Sequence, residues 1–207
     1  GSRADMDERL YLITPPNPAA GFADRLAALL DRGGIACVRL QMEGGEAAIR
    51  AMADALRPIC MARQVPLVIA DHVRLVALHG LQGVHLTDAG PQAVRAARQA
   101  LGAEAIVGAF GGTTRHKAML LAEAGADYVS LGPVRAGALG DGREADAELF
   151  GWWDAMIETP SVAEGGLKPA DAALRADFLA PRLSIWEHPE GPEAGLAAWL
   201  DAVRAAG

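Results

Sequence analysis

The chain has 207 residues, 51% hydrophobic and 22% charged, enough to bury one sizeable core and too apolar for a disordered segment. Its net charge of −7, with no basic stripe, argues against a nucleic-acid partner, and no run is long enough to cross a bilayer. Cys37 and Cys60 lack metal-type spacing and read as reduced, buried thiols; with no apolar signal region at the start, a cytoplasmic location is expected.

Residues 8–207 are expected to form a single domain, with residues 1–7 an N-terminal tail or expression remnant. Eight apolar runs of strand length recur, each followed by an Ala- and Leu-rich stretch of helix length. They are Leu10–Ile13, Ile35–Leu40, Leu67–Ala70, Gly83–Leu86, Ala105–Phe110, Tyr128–Leu131, Ser161–Ala163 and Leu183–Trp186. Alternating strands and helices imply parallel pairing, and eight such units predict an α/β fold, a single TIM (β/α)8 barrel. Such a barrel carries its chemistry on the loops that follow the strands.

The first run ends in Thr14-Pro15-Pro16-Asn17-Pro18, where the prolines force an extended loop, and a helix is predicted from near Ala20 to Gly33-Gly34. In the second run, period-two alternation puts Val38 and Leu40 on the helix-facing side and points Arg39 and Gln41 into the barrel. A charge there demands a partner, so Arg39 is either half of an internal ion pair or a ligand-binding cation. The third run breaks into Asp71-His72, where Asp71 suits a hard cation or a helix cap. In the fourth, His85 lies among apolar residues, and Asp88 follows close enough to join Asp71 at a cation.

The fifth run leads to Thr113-Thr114, read as a helix start. After the sixth comes the longest loop, 134–145, whose glycines and two arginines, Arg135 and Arg143, suit a lid over an anion or a surface loop. Glu164-Gly165-Gly166 follows the seventh run; the glycines let backbone amides approach a phosphate, while Glu164 repels one. The eighth run is read as ending in Trp186-Glu187-His188, again acidic at the mouth. Arg39 would find its partner in Glu164 or Glu187. Only two lysines, Lys117 and Lys168, stand beside seventeen arginines.

Several of these stretches together resemble the thiamine phosphate synthase and thiazole tautomerase family. They are Val38-Arg39-Leu40-Gln41, Pro66–Asp71, Gly83-Val84-His85-Leu86, Ala122–Pro133 and Ala163–Leu167, in family order and spacing. The resemblance implies a magnesium-assisted coupling of a pyrimidine methyl diphosphate with a thiazole phosphate. In that reading Arg39 would hold the diphosphate and Asp71 and Asp88 Mg2+; the candidate catalytic residues are Arg39, Gln41, His85 and Glu164. Arg135 and Arg143 would hold the leaving group, Gly165 and Gly166 the thiazole phosphate, and Trp186 and His188 would stand at the last phosphate loop. The chain departs from the family pattern at several points. Gln-Leu-Arg-x-Lys becomes Arg39-Leu40-Gln41-Met42-Glu43, a serine position falls on Phe110, and a hydroxyl- and lysine-bearing loop becomes Ala136-Gly137-Ala138-Leu139-Gly140.

Three functions stay open at this point: the family transferase; a non-catalytic barrel binding a thiamine-related ligand or a partner protein; and an enzyme in which His85, Glu164 and His188 act on a different heterocycle. The expected partner is a small heterocyclic, phosphorylated molecule, with no nucleic acid and no membrane, and a homo-oligomer is not excluded.

Overall fold

The computed structural model describes residues 8–207; the tail expected over residues 1–7 lies outside them. Eight strands close a barrel in sequence order, every neighbouring pair parallel. They are β1 (Leu10–Ile13), β2 (Ile35–Leu40), β3 (Leu67–Ala70), β4 (Gly83–Leu86), β5 (Ile106–Gly112), β6 (Tyr128–Leu131), β7 (Ser161–Glu164) and β8 (Phe178–Ala180). The helices are α1 (Phe22–Leu30), α2 (Glu46–Ala62), α3 (Val73–His79), α4 (Pro91–Leu101), α5 (Arg115–Glu123), α6 (Ala147–Met156), α7 (Leu183–Trp186) and α8 (Pro192–Ala206). A 3-10 turn, Pro169–Ala173, stands between β7 and β8 where a longer helix was expected. No described helix is long and apolar enough to cross a membrane.

Strand alternation divides the core in two. Val38, Leu40, Ile69, Val84 and Val107 face outward and pack against helix residues such as Ile49, Ala53, Leu56 and Cys60 of α2, spaced to fall on one face. Inside the barrel lie Tyr11, Ile13, Cys37, Val68, Tyr128, Val162 and Ala180. The Tyr128 ring is admitted because Gly108 has no side chain; a Cβ there would stand 2.0 Å from Tyr128 Cζ.

The eighth strand corrects the sequence reading. Leu183–Trp186, expected as β8, is a short helix, and the strand is the three-residue Phe178–Ala180. Length alone favoured the later run, but Ile185 is buried instead against α8 at Gly195, whose missing side chain leaves room for the Ile185 backbone. The short strand makes a thin seam, with only Leu10↔Leu179 aligned across β1 and β8. Side chains reinforce it. Arg182 donates from Nε to the Thr14 carbonyl (2.9 Å) and from Nη2 to the Gln41 carbonyl (2.7 Å), and Trp186 Nε1 donates to Ile13 (2.6 Å). At the opposite end Arg9 donates to the carbonyls of Ala172, Leu174 and Ala176.

Candidate active site

Arg39 points inward from β2, as its period-two position requires, and is 3% exposed. Its Nη2 donates to Glu164 Oε2 at 2.6 Å, and Ser130 of β6 donates to Glu164 Oε1 at 3.1 Å. Burial alone would lower the Arg39 pKa; the Glu164 carboxylate outweighs it and raises the value, so the guanidinium stays charged. Of the two readings the sequence left open for Arg39, the internal ion pair forms, and its partner is Glu164. Glu187 is exposed beyond α7, a consequence of the true position of β8.

Below this pair the Tyr128 hydroxyl bonds both the Tyr11 hydroxyl and His85 Nδ1, the latter at 2.8 Å. Burial, reinforced by the nearby positive charge of Arg39, pushes the His85 pKa well below its ordinary value, so His85 is neutral at pH 7. Burial raises the Tyr11 and Tyr128 pKa values, so both phenols stay protonated. It also lifts Cys37 to about 12 and Cys60 to about 11, leaving two protonated thiols. Arg39 Nε and Nη1, Gln41 Oε1 and His85 Nε2 are buried without a hydrogen-bond partner.

The neutrality of His85 has a measurable consequence. Unfolded, it takes up a proton near 6.5, whereas folded it does not, so protons favour the unfolded chain below that pH. The stabilisation is complete above about 6.5 and is lost as pH falls from there toward the depressed folded value. Relative to His85→Gln, the wild type is expected to lose about 1.4 kcal/mol between pH 7.5 and 5.5 in urea titrations. Parallel stability profiles for the two proteins would refute a buried, uncharged His85.

Above the ion pair, at the C-terminal ends of β4, β5 and β6, a cavity of about 420 Å3 with both polar and apolar walls opens to solvent. Thr87 and Asp88 form one wall, Phe110, Thr113, Thr114 and Lys117 another, and Leu139, Gly140 and Asp141 of the loop after β6 a third. That loop is fastened back on the barrel. Arg135 grips Asp171 with both terminal nitrogens (2.5 and 3.1 Å) and Gly166 O (2.8 Å), and Glu144 accepts the Ala136 N–H (2.7 Å).

Of the candidate catalytic, phosphate and metal residues named from the sequence, Asp88 alone lines this cavity, while the 134–145 loop read as a lid over an anion contributes Leu139, Gly140 and Asp141 to it. Asp71, at φ +65°, takes the Thr87 N–H on Oδ1 (2.8 Å) and the Thr87 hydroxyl on Oδ2 (2.5 Å), so it secures the loop that presents Asp88. Gly165 and Gly166 sit at φ +91° and +70° behind Leu139 and Arg135. Arg143 lies 3.9 Å from Asp141, both exposed. Trp186 packs edge-on against Phe22, and His188 Nδ1 accepts the Glu190 N–H at 3.1 Å. The sequence reading missed Lys117, Thr113 and Arg182. The first two sit at the start of a helix where capping explained the hydroxyls, and Arg182 was hidden by the misplaced eighth strand.

Taken together these features define a parallel (β/α)8 barrel with a small-molecule-sized cavity at the C-terminal ends of its strands. The family model described as thiamine monophosphate synthase matches residues 10–184, and the chain belongs to that family. It is 44% identical over 200 residues to a thiamine-phosphate synthase of Rhodospirillum centenum, covering 92% of this chain and 95% of the relative. A thiamine-phosphate synthase of Erythrobacter litoralis is 34% identical over 217 residues, covering 99% and 100%. Among solved structures, a thiamine phosphate pyrophosphorylase from Pyrococcus furiosus shares the fold, with a TM-score of 0.80, 19% identity and 98% of each chain covered.

Proposed function

We propose that this protein is a thiamine-phosphate synthase, joining a pyrimidine methyl diphosphate to a thiazole phosphate. The observation that carries the reading is 44% identity along nearly the whole length of a relative bearing that name. In the reaction the bond from the methylene carbon to the diphosphate oxygen breaks, its electron pair leaves with pyrophosphate, and the thiazole nitrogen supplies the pair for the new C–N bond. The protein's task is to stabilise negative charge on the departing group and to hold the two rings in line.

Mg2+ binds hard oxygens, commonly one or two carboxylates plus substrate phosphates and water. The donor set fits that habit. Asp88 offers a carboxylate to the cavity, while no cluster of three or more His, Cys, Asp or Glu exists for a protein-only metal cage among the described residues. Asp88 would hold the ion and Asp71 would hold the Asp88 loop; when bound, Mg2+ neutralises charge on the diphosphate. Glu164, bonded on one oxygen by Arg39 and on the other by Ser130, acts as an internal counter-ion, and neutral His85 adds no charge to the site.

The test is direct: purified protein, both substrates and Mg2+, with thiamine phosphate separated by chromatography. Product absent above the uncatalysed background at high protein concentration overturns the reading. Asp88→Asn is expected to raise the Mg2+ needed for half-maximal turnover by about 10- to 100-fold, and an unchanged Mg2+ dependence would remove Asp88 from the metal's ligands.

A further inference from the structure

Building on the synthase reading, we propose that Lys117, reaching into the cavity from the first turn of α5, is the cation that grips the diphosphate of the pyrimidine substrate. A diphosphate needs positive charge at its oxygens; Arg39, Arg135 and Arg182 are engaged elsewhere, and Arg143, exposed beside Asp141, does not line the cavity. Arg39 is buried against Glu164 at 2.6 Å. Arg135 is held by Asp171 and Gly166, and Arg182 donates to the carbonyls of Thr14 and Gln41. Among the residues lining the cavity, Lys117 is the one lysine or arginine.

Its placement is specific. The Lys117 N–H donates to the Thr114 hydroxyl oxygen, which caps α5 and fixes where the side chain starts. The ammonium lies 5.6 Å from the centroid of the Phe110 ring, a cation–π contact that keeps the chain over the cavity, and it folds across Gly112. No carboxylate among the described residues lies within ion-pair distance of it, so its charge is uncommitted. Thr113 and Thr114 add hydroxyls beside it, and Asp88 faces the same space. A lysine also suits the task better than a planar guanidinium. Its compact charge has three rotatable donors, which follow the oxygens as the C–O bond lengthens and pyrophosphate departs.

The probe is inorganic pyrophosphate with Mg2+, titrated calorimetrically into wild type, Lys117→Ala, Lys117→Arg and Arg204→Ala, the last removing the same charge from α8. Lys117 is exposed, so its variants keep the fold, which melting curves verify. Lys117→Ala is expected to weaken pyrophosphate by about 10- to 100-fold, the value of a charged hydrogen bond. Lys117→Arg should retain most of the affinity and Arg204→Ala all of it. In turnover, Lys117→Ala should raise KM for the pyrimidine diphosphate and leave KM for the thiazole phosphate unchanged. Equal pyrophosphate affinity in wild type and Lys117→Ala, or no binding by wild type, overturns the proposal. If wild type makes thiamine phosphate and Lys117→Ala does so with unaltered KM, Lys117 is dismissed and the synthase reading stands. If wild type makes none while Lys117→Ala loses pyrophosphate, the synthase reading fails and the anion grip stands.

Discussion

Replacing Arg39 by methionine is expected to destabilise the protein by about 3–5 kcal/mol, and Glu164→Leu by a similar amount, because each leaves an opposite charge buried without its partner. Arg39 and Glu164 are 3% and 2% exposed, so water cannot take over the solvation of the survivor. Ser130 alone would remain on Glu164, one neutral donor against a full charge. The double variant Arg39→Met with Glu164→Leu should recover most of the loss. Both desolvation penalties are then gone, and the orphaned Arg39 Nε and Nη1 go with them. Urea unfolding of the four proteins forms a double-mutant cycle. Additive single losses would show that the two side chains do not act as a pair; a single loss under about 1 kcal/mol would show that the barrel interior admits water.

The seven-strand part of the barrel was legible because each strand is a short apolar run framed by Gly, Pro, Asn or Asp. Arg39 was legible as an inward residue because Val38 and Leu40 had to face the helices. Its partner was narrowed to two acids, 125 or more residues downstream, and only closure of the barrel selects between them. β8 failed because Phe178-Leu179-Ala180 is shorter than the run after it, and closure rather than local pattern decides which run pairs with β1. That one displacement carried Glu187 and His188 to the mouth in the sequence reading and concealed Arg182. Lys117 escaped for a different reason: a lysine on an amphipathic helix is ordinarily a solvated face, and only the fold shows that α5 starts at the cavity wall.

Gly165→Ala is expected to cost about 2–4 kcal/mol of stability, and more of activity than its small size suggests. The residue sits at φ +91°, where an alanine is strained, and its Cβ would stand 2.5 Å from Pro133 Cβ and 2.6 Å from Pro133 Cα. Pro133 is held on its own side, since its carbonyl accepts the Ala145 N–H at 2.7 Å, so backbone rather than a flexible tip must give way. The Gly165 carbonyl also receives the N–H groups of Val134 and Arg135, both at 3.0 Å, so movement there loosens the start of the loop that carries Leu139, Gly140 and Asp141 into the cavity. Displacing a cavity wall by about 1 Å is enough to lower turnover by about 100-fold where two substrates must meet in line. Gly90→Ala is the control: φ is −93° and no atom lies within 4 Å of the added carbon, so stability and turnover should stay at wild-type values. Gly165→Ala with wild-type turnover and melting temperature would mean that the loops after β6 and β7 move independently, and a cavity wall hung on Gly165 would then be the wrong account of this mouth.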